Sequence, residues 1–234
     1  MTEIKSKKVF QQAFTAAFPH TIPVLTGFLV LGMAYGVLMQ TKGYGAVWAV
    51  LMSMIAFCGS MQFVAITLLT AAFNPIQAFL LSITVNARHL FYGLSMLEKY
   101  KGLGKVRAVL IYTLCDETFS ISSSVAPPEN IDRKYFYLSI SLLDYFYWVL
   151  GTFLGSVLGS FITFSTKGLD FVLTALFVVL FMEQMTSREN RISGIIGLAC
   201  TGVGLFMFGV ENLVIPSMLF ILLVLLAGRK RICN

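Results

Sequence analysis

Charge is scarce in this chain. Asp, Glu, Lys and Arg supply 12% of its 234 residues, about half the roughly 25% usual in soluble domains. Polar stretches are short as well. The longest are the N-terminus, Glu98–Arg107 and Pro127–Lys134. That leaves no room for a soluble catalytic or nucleic-acid-binding module. The net charge of +6 is therefore a topology signal. The four cysteines, Cys58, Cys115, Cys200 and Cys233, form no CxxC pair; they read as reduced packing residues. Enzyme signatures are missing. Ser60 and His89 exist, but no G-x-S-x-G frames the serine. There is no H-E-x-x-H, no metal-spaced His/Cys set, no Walker A and no dinucleotide fingerprint. No enzymatic activity, cofactor or metal is expected. Met1-Thr2-Glu3-Ile4-Lys5 lacks a signal-peptide layout, so the first apolar span is expected to be retained.

What the chain does contain is apolar sequence. Hydrophobic residues make up 57% of it, and the mean hydropathy is +0.83. Eight apolar segments recur: Thr21–Gln40, Ala46–Phe73, Pro75–Leu97, Ala108–Val125, Tyr135–Phe161, Leu169–Met185, Ile192–Phe208 and Leu213–Ala227. Runs of this length predict an all-α, polytopic membrane protein forming one transmembrane domain over residues 1–234. A β-barrel would show short alternating segments instead.

Ala46–Phe73 is unusually long, and its centre reads Phe57-Cys58-Gly59-Ser60-Met61-Gln62. A glycine followed by polar side chains predicts a broken helix, tolerated at membrane depth only where protein or water satisfies the freed backbone. The competing reading is one long, tilted helix. A weak repeat also appears. Gly27–Gly43 resembles Gly151–Gly168, both ending in Thr-Lys-Gly, which makes 20–97 and 143–227 candidate inverted-repeat halves. Basic residues then suggest a topology. If Ala46–Phe73 and Leu169–Met185 fold back and the other six segments cross, Lys5, Lys7, Lys8, Lys99, Lys101, Lys105, Arg107, Lys167, Arg188, Arg191, Arg229, Lys230 and Arg231 share the inner side. Only Lys42, Arg133 and Lys134 fall outside.

Ionisable residues inside these segments carry the functional signal. Asn86-Ala87-Arg88-His89 lies near the middle of Pro75–Leu97, and Asp116-Glu117 near the middle of Ala108–Val125. Each such charge costs about 2.5–3.5 kcal/mol on insertion scales. Asn86 and His89 share a helical face, and Arg88 lies about 100° from His89. Arg88 stays protonated and needs a partner, for which Asp116 or Glu117 is the candidate. A guanidinium beside a carboxylate complements the zwitterion of an amino acid. The alternative is an ion pair that only fixes helix register. His89, Asp116 or Glu117 could exchange a proton, or His89 could be a packed core histidine. Thr113, Asp116, Ser120 and Ser123 share one helical face, which could line a polar path or hydrogen-bond to a neighbouring helix. Asp144 is a weaker candidate nearer the outer interface, and Glu183 and Gln184 read as an exposed segment end. Tyr135, Tyr137 and Trp148 read as interface anchors.

The chain resembles the AzlC family of branched-chain amino-acid permeases. The likeness rests on Gly59-Ser60-Met61-Gln62-Phe63, Asn86-Ala87-Arg88-His89-Leu90-Phe91-Tyr92-Gly93 and Thr113-Leu114-Cys115-Asp116-Glu117-Thr118-Phe119. It extends over about 10–226. Serine at 60 departs from the commoner alanine. The resemblance implies export of branched-chain amino acids, in some members also methionine, across a bacterial cytoplasmic membrane, with a small AzlD-type membrane protein as partner. The site residues expected on this reading are Gly59, Ser60, Gln62, Asn86, Arg88, His89, Asp116 and Glu117. A passive channel and a non-catalytic membrane scaffold remain as alternatives.

Overall fold

The computed structural model describes residues 2–70, 74–161, 178, 181–182, 185, 188–209 and 213–232. Among them every regular element is helical: α1 (Thr2–Thr41), α2 (Ala46–Ala56), α3 (Gly59–Thr70), α4 (Pro75–Met96), α5 (Val106–Tyr112), α6 (Asp116–Ser124), α7 (Arg133–Phe161), α8 (Arg188–Phe208) and α9 (Val214–Ile232). The chain divides into two compact units. One comprises Met1–Asn74 with Val85–Phe164, the other Pro75–Thr84 with Ser165–Asn234.

The first unit is built on α1 and α7, both long and apolar enough to cross a membrane. Lys8–Thr41 alone rises about 50 Å at 1.5 Å per residue, more than the ~30 Å hydrocarbon core. The two helices meet along glycines. A Cβ on Gly36 would fall 2.2 Å from the Thr152 carbonyl oxygen, and one on Gly155 would fall 2.1 Å from that of Met33. Without side chains there, the backbones approach closely and gain van der Waals contact, the main attraction between helices in lipid. The contacts run in register. Phe10 meets Tyr135, the Thr21 and Tyr147 hydroxyls lie 3.1 Å apart, Ser156 donates to the Gly36 carbonyl, and Gly159 packs on Gln40. The two helices are therefore parallel.

Between them the chain makes two broken hairpins. In the first, α2 and α3 are separated at Phe57–Cys58, and the Tyr44 hydroxyl beside the start of α2 donates to the Leu69 carbonyl at the end of α3 (3.0 Å). The hairpin thus returns to the end it left. In the second, α5 and α6 are separated at Thr113–Cys115. Lys99, just before α5, donates to the Ser122 carbonyl (2.9 Å) and to that of Ser123, capping the end of α6. This hairpin opens at the opposite end of the α1–α7 pair. Tyr100 and Leu103 seal its base against Phe136, Tyr137 and Ile140. Burial pushes the Tyr100 hydroxyl up to about 12, so it stays neutral at physiological pH.

Four expectations change here. Ala46–Phe73 is indeed broken, but Ala108–Val125 does not cross as one helix; it folds back as α5 and α6. The polar run Thr113–Glu117 interrupts it, so Thr113 is not on one helical face with Asp116, Ser120 and Ser123. Consequently Pro127–Lys134 lies at the same end as the N-terminus. Lys8, Gln11 and Thr15 share a surface groove with Asn130 and Ile131, and Arg133 donates to the Glu98 carbonyl (3.2 Å). Arg133 and Lys134 therefore join Lys8, Lys99, Lys101, Lys105 and Arg107 at one end, with Lys42 at the other. Charge asymmetry within this unit is stronger than the sequence reading gave. Tyr137 and Trp148 are buried in the core and are not interface anchors.

In the second unit α8 and α9 pack together, with Gly204 against Ser217. Arg191–Phe208 is long and apolar enough to cross a membrane. Glu183, Gln184 and most of Leu169–Met185 lie outside the described residues.

Candidate functional site

The tips of the two hairpins meet. α2 ends because Phe57 adopts φ 37° and ψ 51°, a left-handed conformation that costs a non-glycine residue about 1–2 kcal/mol. Its buried ring packs on Tyr145 at 5.0 Å between centroids. Breaking the helix frees the Met54 and Ile55 carbonyls. The Tyr112 hydroxyl, at the end of α5, lies 2.6 and 2.7 Å from them, and Tyr145 of α7 donates to Met54 (2.9 Å). The second hairpin thus completes the backbone hydrogen bonding of the first.

α4 runs past this junction and inserts Arg88 between the starts of α3 and α6. One guanidinium nitrogen lies 2.5 Å from Asp116 Oδ2, and another donates to Ser60 Oγ at 2.5 Å. Of the two candidate acids, Asp116 is the one that pairs. Its place in the first turn of α6 is favourable, because a helix N-terminus attracts negative charge. The pair is not sealed: Arg88 is 40% and Asp116 36% exposed. Asn86 Oδ1 accepts from the Cys58 thiol (2.9 Å), tying α4 to the first tip. His89 is half-buried, with its ring 5.7 Å from that of Tyr92, which stacks on Phe119 of α6 at 4.5 Å. Glu117 lies beside Cys115, within electrostatic reach of Asp116, Arg88 and Asp144.

Three buried polar atoms at the junction have no hydrogen-bond partner: Arg88 Nε, Asp116 Oδ1 and His89 Nδ1. One is a donor, one an acceptor, and the imidazole nitrogen can be either.

Six of the eight expected residues therefore surround one point: Ser60, Asn86, Arg88, His89, Asp116 and Glu117. Gly59 and Gln62 serve it from the side. A Cβ on Gly59 would fall 3.0 Å from the Trp148 ring, so the glycine lets the α3 start lie on that indole. Gln62 is fully buried with both ends of its amide engaged, donating to Ser53 Oγ and accepting from Trp148 Nε1, each at 2.8 Å. Ser53 and Thr152 hydroxyls continue this network into α7 (2.8 Å). Gln62 thus anchors α3 to α2 and α7, and its amide is not free for a ligand. The sequence reading missed Cys58, Tyr112 and Tyr145. Tyr112, beside the polar Thr113–Glu117 run and deep in an apolar segment, was the available signal.

The AzlC protein family matches residues 23–162, which cover the second half of α1, both hairpins, α4 and α7. This chain belongs to the AzlC family. Among its relatives is the branched-chain amino acid transport protein AzlC of Bacillus subtilis, 46% identical over 98% of this chain and 90% of that protein. An uncharacterized membrane protein of Helicobacter pylori is 40% identical over 95% of this chain and 98% of its own length. The inner membrane protein YgaZ of Escherichia coli is 25% identical over 82% of each chain. No solved structure matches. The AzlC match ends one residue after α7, so it spans every element that builds the junction around Arg88.

Proposed function

We propose that this chain is a secondary transporter that exports branched-chain amino acids, coupled to protons, across the bacterial cytoplasmic membrane. The observation that carries the reading is the junction's unpaired set. A zwitterionic amino acid brings a carboxylate, which accepts hydrogen bonds, and an ammonium, which donates them. Arg88 Nε and Asp116 Oδ1 offer the complementary donor and acceptor, and neither has a partner. Tyr92, Phe119 and Phe57 lie around the same tips and supply apolar surface for an aliphatic side chain. Substrate would compete with the Arg88–Asp116 pair, which keeps the empty site neutral. The Bacillus subtilis relative, named for branched-chain amino acid transport, supports the substrate class.

The hairpins also suit alternating access. They enter from opposite ends and meet at their tips, so a shift of either would open the junction toward one side. The end rich in lysine and arginine is assigned to the cytoplasm. His89 and the carboxylates around Arg88 are the candidates for proton exchange. A small AzlD-type membrane protein is the proposed partner.

Arg88→Ala tests the reading. In cells loaded with labelled leucine the variant is expected to insert normally and to lose export. Wild-type export by a correctly inserted variant would overturn the assignment. An uncoupler separates the transporter from a passive channel, because only the former loses accumulation against a gradient.

A further inference from the structure

Asp144 stands apart from the junction. It lies well inside α7, with no exposed surface. Thr118 of α6, equally buried, donates to its Oδ2 at 2.8 Å, while its Oδ1 has no partner. An amide would make the same helix–helix bond without placing an ionisable group in an apolar interior. The Thr118 oxygen is also 3.2 Å from Cys115 Sγ, at the break before α6. Two residues before Thr118, in the same helical turn, Asp116 holds Arg88. The first turn of α6 thus carries both the bond to α7 and the pair with the guanidinium.

Charge balance gives the arrangement meaning. Among the described residues this region holds three carboxyl groups, Asp116 paired with Arg88, Glu117 within electrostatic reach of Arg88, and Asp144 within reach of Glu117, against the one guanidinium. A zwitterion adds no net charge, so it cannot correct the imbalance; protons can. The titratable groups facing Asp144 are Glu117 of α6 and Cys115 at the break before it, and α1, α2 and α5 bring no charge within reach among the described residues. We propose that Asp144 takes up and releases the coupling proton, and that Thr118 passes its charge state to the tip of α6. This rests on the transport reading above. The step is simple: a proton adds to the carboxylate to give the carboxylic acid, and the reverse reaction releases it, with no other bond made or broken. Oδ1 can accept the proton without breaking the bond to Thr118. If the acid donates through Oδ2 instead, Thr118 must turn its own hydrogen toward Cys115, which reverses the bond at the break.

The test uses the full-length protein in proteoliposomes and two assays with labelled leucine. One follows exchange at equal pH. The other follows uphill accumulation driven by an imposed pH gradient. Asp144→Asn is expected to keep exchange near the wild-type level and to lose accumulation. Wild-type accumulation by that variant would overturn the proposal. If the asparagine variant loses both activities, Asp144→Glu decides: accumulation restored by glutamate supports a proton site, and a dead glutamate variant overturns it. Thr118→Val is expected to keep exchange and to shift the pH at which accumulation is half-maximal; an unchanged pH profile overturns the relay. Wild-type behaviour tests the parent reading separately. No flux in either assay defeats transport itself, and exchange indifferent to the gradient defeats proton coupling.

Discussion

The two hairpins share a plan and differ in what holds them. Each enters from one end, breaks, and restarts a helix just after a cysteine, Cys58 in the first and Cys115 in the second. The second closes on itself: the Thr113 amide and hydroxyl both reach the Val109 carbonyl, at 2.9 and 2.8 Å. The first cannot, because its freed carbonyls at Met54 and Ile55 depend on Tyr112 and Tyr145 from other elements. Their chemistry differs too. The first presents a neutral hydroxyl, Ser60, to Arg88, and the second presents a carboxylate, Asp116. One hairpin is self-sufficient and charged, the other dependent and neutral. The dependent one can move only if the bonds that α5 and α7 make to its tip change with it.

The sharpest break in this comparison is at Arg88. Asp116→Asn removes the guanidinium's counter-charge and is expected to abolish leucine flux in vesicles. Ser60→Ala removes a hydrogen bond to a charged group, worth about 1.5–3 kcal/mol, and should weaken flux while leaving it measurable. Equal losses from the two variants would show that the hairpins contribute alike. Next come the tyrosines. Tyr112→Phe leaves Ile55 without its donor and is expected to cost about 1–3 kcal/mol, read as a lower melting temperature in detergent. Tyr145→Phe should cost less, because Tyr112 still reaches Met54. Thr113→Val should cost least of the three, since the Val109 carbonyl keeps the amide of residue 113. Smallest is Cys58→Ala, which loses a weak thiol bond to Asn86, on the order of 0.5 kcal/mol by the same measurement. Cys58→Ser, which keeps a donor, should recover it.

Much of this was legible in the sequence. Apolar runs gave the helical membrane class, Gly59-Ser60 marked the first break, and the depth of Arg88 required an acidic partner. The second break was hidden by length. Ala108–Val125 is long enough to cross and contains no glycine, so nothing in its hydropathy distinguishes a crossing from a fold-back. What ends α5 is a cluster of side chains that compete for backbone hydrogen bonds, Thr113 above all. That error carried Pro127–Lys134 to the wrong end. The direction of Gln62 was equally hidden. A buried amide facing Ser53 and Trp148 looks, in sequence, like one facing a substrate, because its partners lie 9 residues before it and 86 after it.

The parallel seam between α1 and α7 also sets an order of assembly. Parallel neighbours cannot be joined by a short loop, so the glycine face of α1 enters the bilayer before its partner has been synthesised. Until α7 arrives, Gly32 and Gly36 lack the backbone that covers them in the folded chain. Both hairpins must be threaded in that interval, one from each side of the bilayer. Closing the seam is then the event that fixes everything placed between its two halves, and a bulky residue at Gly36 or Gly155 would stall biogenesis at that step, before any question of transport arises.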